Sequence, residues 1–149
     1  MTLARQLAKL LGKDRVATDA PTLATHATDK WFASRAPEAV VFAESTDDVS
    51  RLLKFASRHR IPVTPRGAGV GYVGGCVPMR GGIALSLARM NRIKEISFAD
   101  AVAVVEPGVI TGVLQAAAAR RGLFYPPDPA SLKECSLGGN IATNARRRS

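Results

Sequence analysis

Ile61-Pro-Val-Thr-Pro-Arg66-Gly-Ala-Gly-Val-Gly-Tyr-Val-Gly-Gly75 is the stretch whose reading decides the fold. A short β-like run, Ile61 to Thr64, leads into a loop with glycines at 67, 69, 71, 74 and 75. Glycine carries no Cβ and reaches backbone conformations closed to other residues, so a ligand can approach the main chain closely. Successive exposed N–H groups in such a loop form a concave anion site, and Arg66 adds positive charge at its edge. That combination suits a phosphate or pyrophosphate; the alternative is an ordinary glycine-rich turn.

Gly69-Val-Gly71-Tyr-Val-Gly74 fits G-x-G-x-x-G, but the dinucleotide fingerprint needs its third glycine to open a helix facing the pyrophosphate. The chain continues instead with Gly75-Cys-Val-Pro78-Met-Arg-Gly81-Gly82, in which Pro and paired Gly break a helix. No Gly-Lys-Ser/Thr follows, which excludes a P-loop. The anion would be held by the loop itself, with no helix dipole behind it.

The 149 residues and 46% apolar content suffice for one domain with a core. No apolar run is long enough to span a bilayer, and the N-terminus lacks a signal-peptide pattern. Cys76 and Cys135 have no metal spacing, so neither a metal site nor a disulfide framework is expected, and a reducing, cytoplasmic setting is the default. The net charge of +9 includes Arg146 to Arg148 at the C-terminal end. The other cations are scattered and aromatic content is 5%, so no basic stripe with stacking aromatics marks a nucleic-acid surface.

From the N-terminus, Leu3, Leu7, Leu10 and Leu11 share one face of a helix over Thr2 to Gly12, with Gly12 as C-cap. Such a basic amphipathic helix either makes peripheral membrane contact, acts as a presequence or packs its leucines on a neighbouring domain, and packing is the expectation adopted. Asp14 to Pro37 is irregular, with Asp19, Pro21, Asp29 and Pro37 as turn formers; Trp31 and Phe32 are expected to pin it to the core. His26 is read as a surface or hydrogen-bonded histidine. Ala39 to Ala43 reads as a buried strand, followed by a helix capped at Ser45 or Thr46 with Asp47 and Asp48 in its first turn. Val49, Leu52, Leu53 and Ala56 form its apolar stripe. With the strand at Ile61 to Thr64, this makes a β-α-β unit whose second strand delivers the glycine loop at its carboxyl end.

Gly82 to Leu87 is a third strand, and Ile93–Ile96 and Ala101–Val105 form two more around a turn at Ala99-Asp100. Glu106-Pro107-Gly108 ends the last of them, and Thr111 is expected to cap the next helix. Phe124 to Pro129 is stiff and extended because its prolines fix φ; it is either a connector or a rigid wall beside a flat ligand. Ser136-Leu-Gly138-Gly139-Asn140-Ile-Ala-Thr143-Asn144 is a second small-residue stretch. Alone it reads as a turn and a helix start; paired with the first loop, it suggests a second backbone clamp on one extended ligand.

Together, Pro65-Arg66-Gly-Ala-Gly69, Gly74-Gly75, Glu106-Pro-Gly108, Pro126-Pro-Asp-Pro-Ala-Ser131 and Gly138-Gly-Asn-Ile-Ala-Thr-Asn144 resemble the FAD-binding module of PCMH-type (vanillyl-alcohol-oxidase-like) flavoproteins. Over residues 14 to 145 the chain is most similar to FAD-linked D-2-hydroxyacid dehydrogenases of the D-lactate dehydrogenase and glycolate oxidase D-subunit type. The resemblance implies an α/β (α+β) fold, with a small parallel βαβ sheet and an incomplete mixed or antiparallel one. It implies a lead-in at 1–35 and an FAD domain over 36–149 that is truncated at its C-terminal side, without a substrate cap domain. The backbone of Gly67, Ala68, Gly69, Val70 and Gly71, beside Arg66, would hold the FAD pyrophosphate. Gly75, Pro107 and Gly108 would sit near the cofactor. Ser131, Ser136, Gly138, Gly139, Asn140 and Thr143 would line its flavin and ribityl side. Relatives with covalent flavin carry a His where this chain has Val70, which implies non-covalent FAD.

The expected reaction of the full-length relative is hydride transfer from a small D-2-hydroxy acid to flavin, with no catalytic residue assignable in this chain. His59, on the helix before the loop, is expected at the surface. Where the family continues Asn-Ala-Gly-Gly-Pro-Arg, this chain reads Asn144-Ala145-Arg-Arg-Arg-Ser149. The expectation is a shifted or truncated reading frame, and an inactive chain; the alternative is a stand-alone nucleotide- or anion-binding module without catalysis.

Overall fold

The computed structural model describes residues 2–145; the Arg146–Ser149 ending lies outside them. Helix α1 (Leu3–Leu11) ends at Gly12 with φ 104°, where the backbone N–H of Gly12 donates to the Ala8 carbonyl. A 3-10 turn (Lys13–Arg15) leads to the two-residue strand β1 (Val16–Ala17) and the short helix α2 (Ala20–Thr25), capped by the Asp19 carboxylate. Strand β2 (Ala39–Phe42) and helix α3 (Thr46–His59) follow, and the Ser45 hydroxyl accepts from the Asp48 N–H to start that helix. Then come β3 (Val63–Arg66), β4 (Ile83–Ser86), the pair β5 (Ile93–Ser97) and β6 (Val102–Val105), and helices α4 (Thr111–Ala119) and α5 (Leu137–Ala142).

Two sheets result. The first has the order β1-β2-β4-β3, with β2, β4 and β3 parallel and β1 antiparallel at its edge; the second is the antiparallel β5–β6 pair. The fold is therefore mixed α/β. The two strands of the β-α-β unit, β2 and β3, run parallel in one sheet but are not direct neighbours. β4 lies between them, with Val40 and Thr64 both opposite Ala84. β3 also starts two residues later than its apolar pattern suggests. The Ile61 N–H donates back to Ala56 O, and the Pro62 carbonyl accepts from Ile83. Pro65 is tolerated in β3 because that strand is the sheet's edge.

The main core contains Leu7, Leu11, Val41, Leu52, Ile83 and Leu85. A fully buried Leu or Ile side chain contributes about 1.5–3 kcal/mol by leaving water. The α1 leucines thus pack on the sheet and α3 of this same core. On α3 the buried face runs through Leu52 and Ala56 with Val49 and Phe55 beside them, whereas Leu53 is 47% exposed. Trp31 and Phe32 do not pin the lead-in to the core: Phe32 is 87% exposed, and the Trp31 ring lies against Gly74. His26 is buried and bonded through Nδ1 to the Thr22 carbonyl, and burial lowers its pKa below the ordinary imidazole value. His59 stacks on Phe55 with ring centroids 4.5 Å apart. No helix among the described residues is long and apolar enough to cross a membrane.

Candidate functional site

The parallel strands end at one side of the molecule, and their exits build a cleft. β3 passes into Gly67 and Ala68, and the Leu87 N–H after β4 donates to Arg66 O, which ties the two exits together. A cavity of about 360 Å³ is lined there by Gly67, Ala68, Ala88, Asn91, Gly108, Val109, Ile110, Val113 and Ser136. Carboxyl ends of parallel strands are where open α/β sheets bind ligands, and this volume falls in the range of small-molecule sites.

The first loop presents its backbone. Among the described residues, the N–H groups of Gly67, Ala68, Gly69, Val70 and Gly71 donate to no protein acceptor. Gly67 lies so close to α5 that a Cβ there would fall on the Ser136 hydroxyl. Arg66 is not at the loop's edge as its position in sequence suggests. It is buried, its guanidinium fills the space beside Gly69, and Nη1 donates to Thr28 O at 2.6 Å and to Cys76 Sγ at 3.4 Å. Burial raises the pKa of the Cys76 thiol, with Arg66 pulling the other way.

The second stretch spends its donors internally. Leu137 N–H goes to Val109 O, Gly138 N–H to Pro107 O at 2.9 Å, and Gly139 N–H to Ser136 Oγ. The backbone clamp expected of Gly138 and Gly139 is thus not a set of free donors; its N–H groups close the start of α5 onto the chain after β6. Gly138 is there for fit, since a Cβ would lie 2.7 Å from Pro107 Cβ. The Asn140 amide points inward and donates to Thr111 Oγ1 at 2.6 Å, and the Thr143 hydroxyl donates back to Gly139 O. Thr111 in turn does not cap α4; Ile110 holds the cap position, while the Thr111 hydroxyl bonds Cys135 O. Ser131 turns the chain before this stretch, its carbonyl accepting from Glu134 and Cys135, and Gly75 sits at the exposed end of the first loop.

One carboxylate braces the floor. Glu106 is buried just before Pro107-Gly108 and accepts from Arg92 Nη2 at 2.7 Å, from Arg92 Nε and from the Arg92 N–H. These bonds lower its pKa from 4.5 to about 2. Gly108 N–H then donates to Met90 O at 2.7 Å.

Of the residues singled out in sequence, Gly67, Ala68, Gly108 and Ser136 meet at the cleft. Sequence reasoning missed Ala88, Asn91, Val109, Ile110 and Val113, which carry no motif and reach the cleft only through the strand order. It also read Asp29 only as a turn former. In the structure its carboxylate accepts from the Gly74 N–H at 3.0 Å. No group of three or more potential metal ligands occurs among the described residues.

Known proteins resemble this chain in sequence and in fold. A family model described as "FAD binding domain" matches residues 37–148. The glycolate oxidase subunit GlcD of Bacillus subtilis (strain 168) is 46% identical over 109 residues, which is 73% of this chain and 23% of that protein. The D-lactate dehydrogenase of Anaerostipes hadrus is 40% identical, over 81% of this chain and 25% of its own. In space, p-cresol methylhydroxylase superposes with a TM-score of 0.79 at 26% identity, over 93% of this chain and 28% of the other. The chain spans about a quarter of the length of the curated relatives it matches. The family match covers most of the chain, and with these relatives and this fold the chain belongs to the FAD-binding-domain family of PCMH-type flavoproteins, among the FAD-linked oxidoreductases.

Proposed function

We propose that this chain is the FAD-binding part of an oxidoreductase that takes a hydride from the CH–OH carbon of a small D-2-hydroxy acid, lactate- or glycolate-like. The observation that carries this reading is the run of N–H groups from Gly67 to Gly71 that are unpaired among the described residues, the first two of which line the cleft. Fixed backbone donors suit a diphosphate because they meet anionic oxygens without ordering a side chain. Bound FAD supplies the hydride acceptor, and the part of the protein is to hold and orient it.

In this reading Gly67, Ala68, Gly69, Val70 and Gly71 grip the diphosphate, with Arg66 stiffening them from the buried side. Gly75, Pro107 and Gly108 lie near the cofactor, and Ser131, Ser136, Gly138, Gly139, Asn140 and Thr143 shape the flavin side. The apolar Val70 offers no nucleophile for a flavin bond, so the cofactor is held non-covalently. The names of the relatives, a glycolate oxidase subunit and a D-lactate dehydrogenase, support the 2-hydroxy acid class.

Titration of the purified chain with FAD tests the reading. Saturable quenching of flavin fluorescence is expected, with a yellow chromophore that denaturant releases completely. D-lactate or glycolate under anaerobic conditions is expected not to bleach it, because the chain alone is proposed to be inactive. A soluble, folded protein that leaves FAD fluorescence unchanged would sink the proposal.

A further inference from the structure

The segment from Thr28 to Trp31 runs along the glycine loop and fastens it at several points. The Thr28 carbonyl accepts from Arg66, and the Lys30 N–H donates to Gly71 O at 2.9 Å. Asp29 bonds on both sides: Oδ2 accepts from the Gly74 N–H at 3.0 Å, and Oδ1 accepts from the Trp31 N–H at 2.7 Å. The second bond holds Trp31 where its ring packs on Gly74, which has φ +69° and leaves a Cβ only 2.5 Å from Cε3. A side chain at Gly74 would therefore meet both a strained backbone and the ring.

These fastenings share one property. They use the carbonyl of Gly71, the N–H of Gly74 and the Arg66 side chain, and none of the N–H groups from Gly67 to Gly71. A loop with several glycines has much conformational entropy to lose on binding an anion, and fixing it beforehand removes that cost. The Lys30–Glu134 ion pair, 3.1 Å and exposed on both sides, adds little to the fixing. Asp29 is half-buried and carries two charge-assisted bonds, one from Trp31 and one from the glycine loop.

Resting on the FAD reading above, we propose that Asp29 is a positioning residue for the cofactor loop: its carboxylate locks the turn at Gly71–Gly74 so that the upstream N–H groups stay open to the diphosphate. It touches no reacting atom in this role.

The test compares the full chain with Asp29→Ala and Asp29→Asn in two measurements. Amide hydrogen exchange in the ligand-free proteins reads loop order. In Asp29→Ala, exchange of the Gly74 amide and of the Lys30 amide, which donates to Gly71 O, is expected to accelerate about tenfold, the scale of one charge-assisted hydrogen bond, while β4 exchanges as in the parent. FAD titration is expected to give about tenfold weaker binding in Asp29→Ala. Asp29→Asn keeps one acceptor oxygen and is expected to fall between the two in both measurements. Unchanged loop exchange in Asp29→Ala overturns the proposal, as does a loosened loop that binds FAD as tightly as the parent. If the parent binds no FAD while loop exchange still depends on Asp29, the locking stands and the cofactor reading falls instead. If Asp29→Ala fails to fold, shown by accelerated exchange in β4, Asp29→Asn decides by the same criteria.

Discussion

The two small-residue stretches that meet at Gly67 and Ser136 use their backbones in opposite ways. In the first, the N–H groups from Gly67 to Gly71 have no protein partner among the described residues, and Gly67 and Ala68 line the cleft. In the second, Leu137, Gly138 and Gly139 donate to Val109, Pro107 and Ser136, and the absent side chain at Gly138 is occupied by Pro107. Each internal bond contributes on the order of 1 kcal/mol, and an unpaired N–H held away from water costs more than that. A free donor run is thus something a fold keeps only where solvent or a ligand reaches it. Glycine content alone does not separate a binding loop from a packing joint; the fate of each N–H does.

The largest effect should come from breaking the joint. Gly138→Ala places a methyl group against Pro107 and is expected to cost about 2 kcal/mol, partly offset by better helix propensity. Thermal unfolding should then move down by roughly 4–8 °C, and an unchanged midpoint would show that Gly138 is not packed as described.

A smaller effect tests the contact between the stretches. Gly67→Ala drives its methyl onto the Ser136 hydroxyl and is expected to cost about 1–2 kcal/mol. Ser136→Ala removes the cap of α5 at a cost of about 1 kcal/mol. Combined, they should cost less than their sum, because the clashing oxygen is gone and Ser136 Cβ lies 3.7 Å away. Strict additivity in denaturant melts would place the two stretches apart.

The smallest expected change concerns the floor under the joint. Glu106 has its pKa lowered from 4.5 to about 2. A lowered carboxylate adds stability that is complete above the unfolded value and disappears as pH falls through the folded one. Between pH 4.5 and about 2 the parent should therefore lose stability that Glu106→Gln does not lose. Parallel stability–pH curves for the two proteins over that window would contradict the Arg92 pairing.

Much of this was legible from local patterns. Ser45 followed by Asp47 and Asp48 marked the start of α3, and the apolar runs either side of Ala99-Asp100 gave the β5–β6 pair. The glycine loop and the Ser136 turn were also readable. The strand order was not: Ala39–Phe42 and Ile83–Ser86 are continuous apolar runs that announce burial on both faces without naming a neighbour. The stripe on α3 was misjudged at Leu53 because Phe55 lies one face over and takes the inward position. Asp29 looked like a turn former since its local bond from the Trp31 N–H fits that reading, while its bond from the Gly74 N–H depends on a segment 45 positions later in the chain. Arg66 looked free for the same reason, its partner Thr28 being distant in sequence.

The placement of β4 between β2 and β3 has a consequence for how the molecule assembles. During synthesis both outer strands emerge before the one that joins them, so the sheet keeps an open slot until residues 83–86 arrive. The ladder hydrogen bonds of β3 are made to β4, a strand that follows the glycine loop, which makes closing that loop a step in folding rather than a late ornament. A ligand gripping the loop would then act on the same closure that completes the sheet, so occupancy and folding should be coupled through one strand.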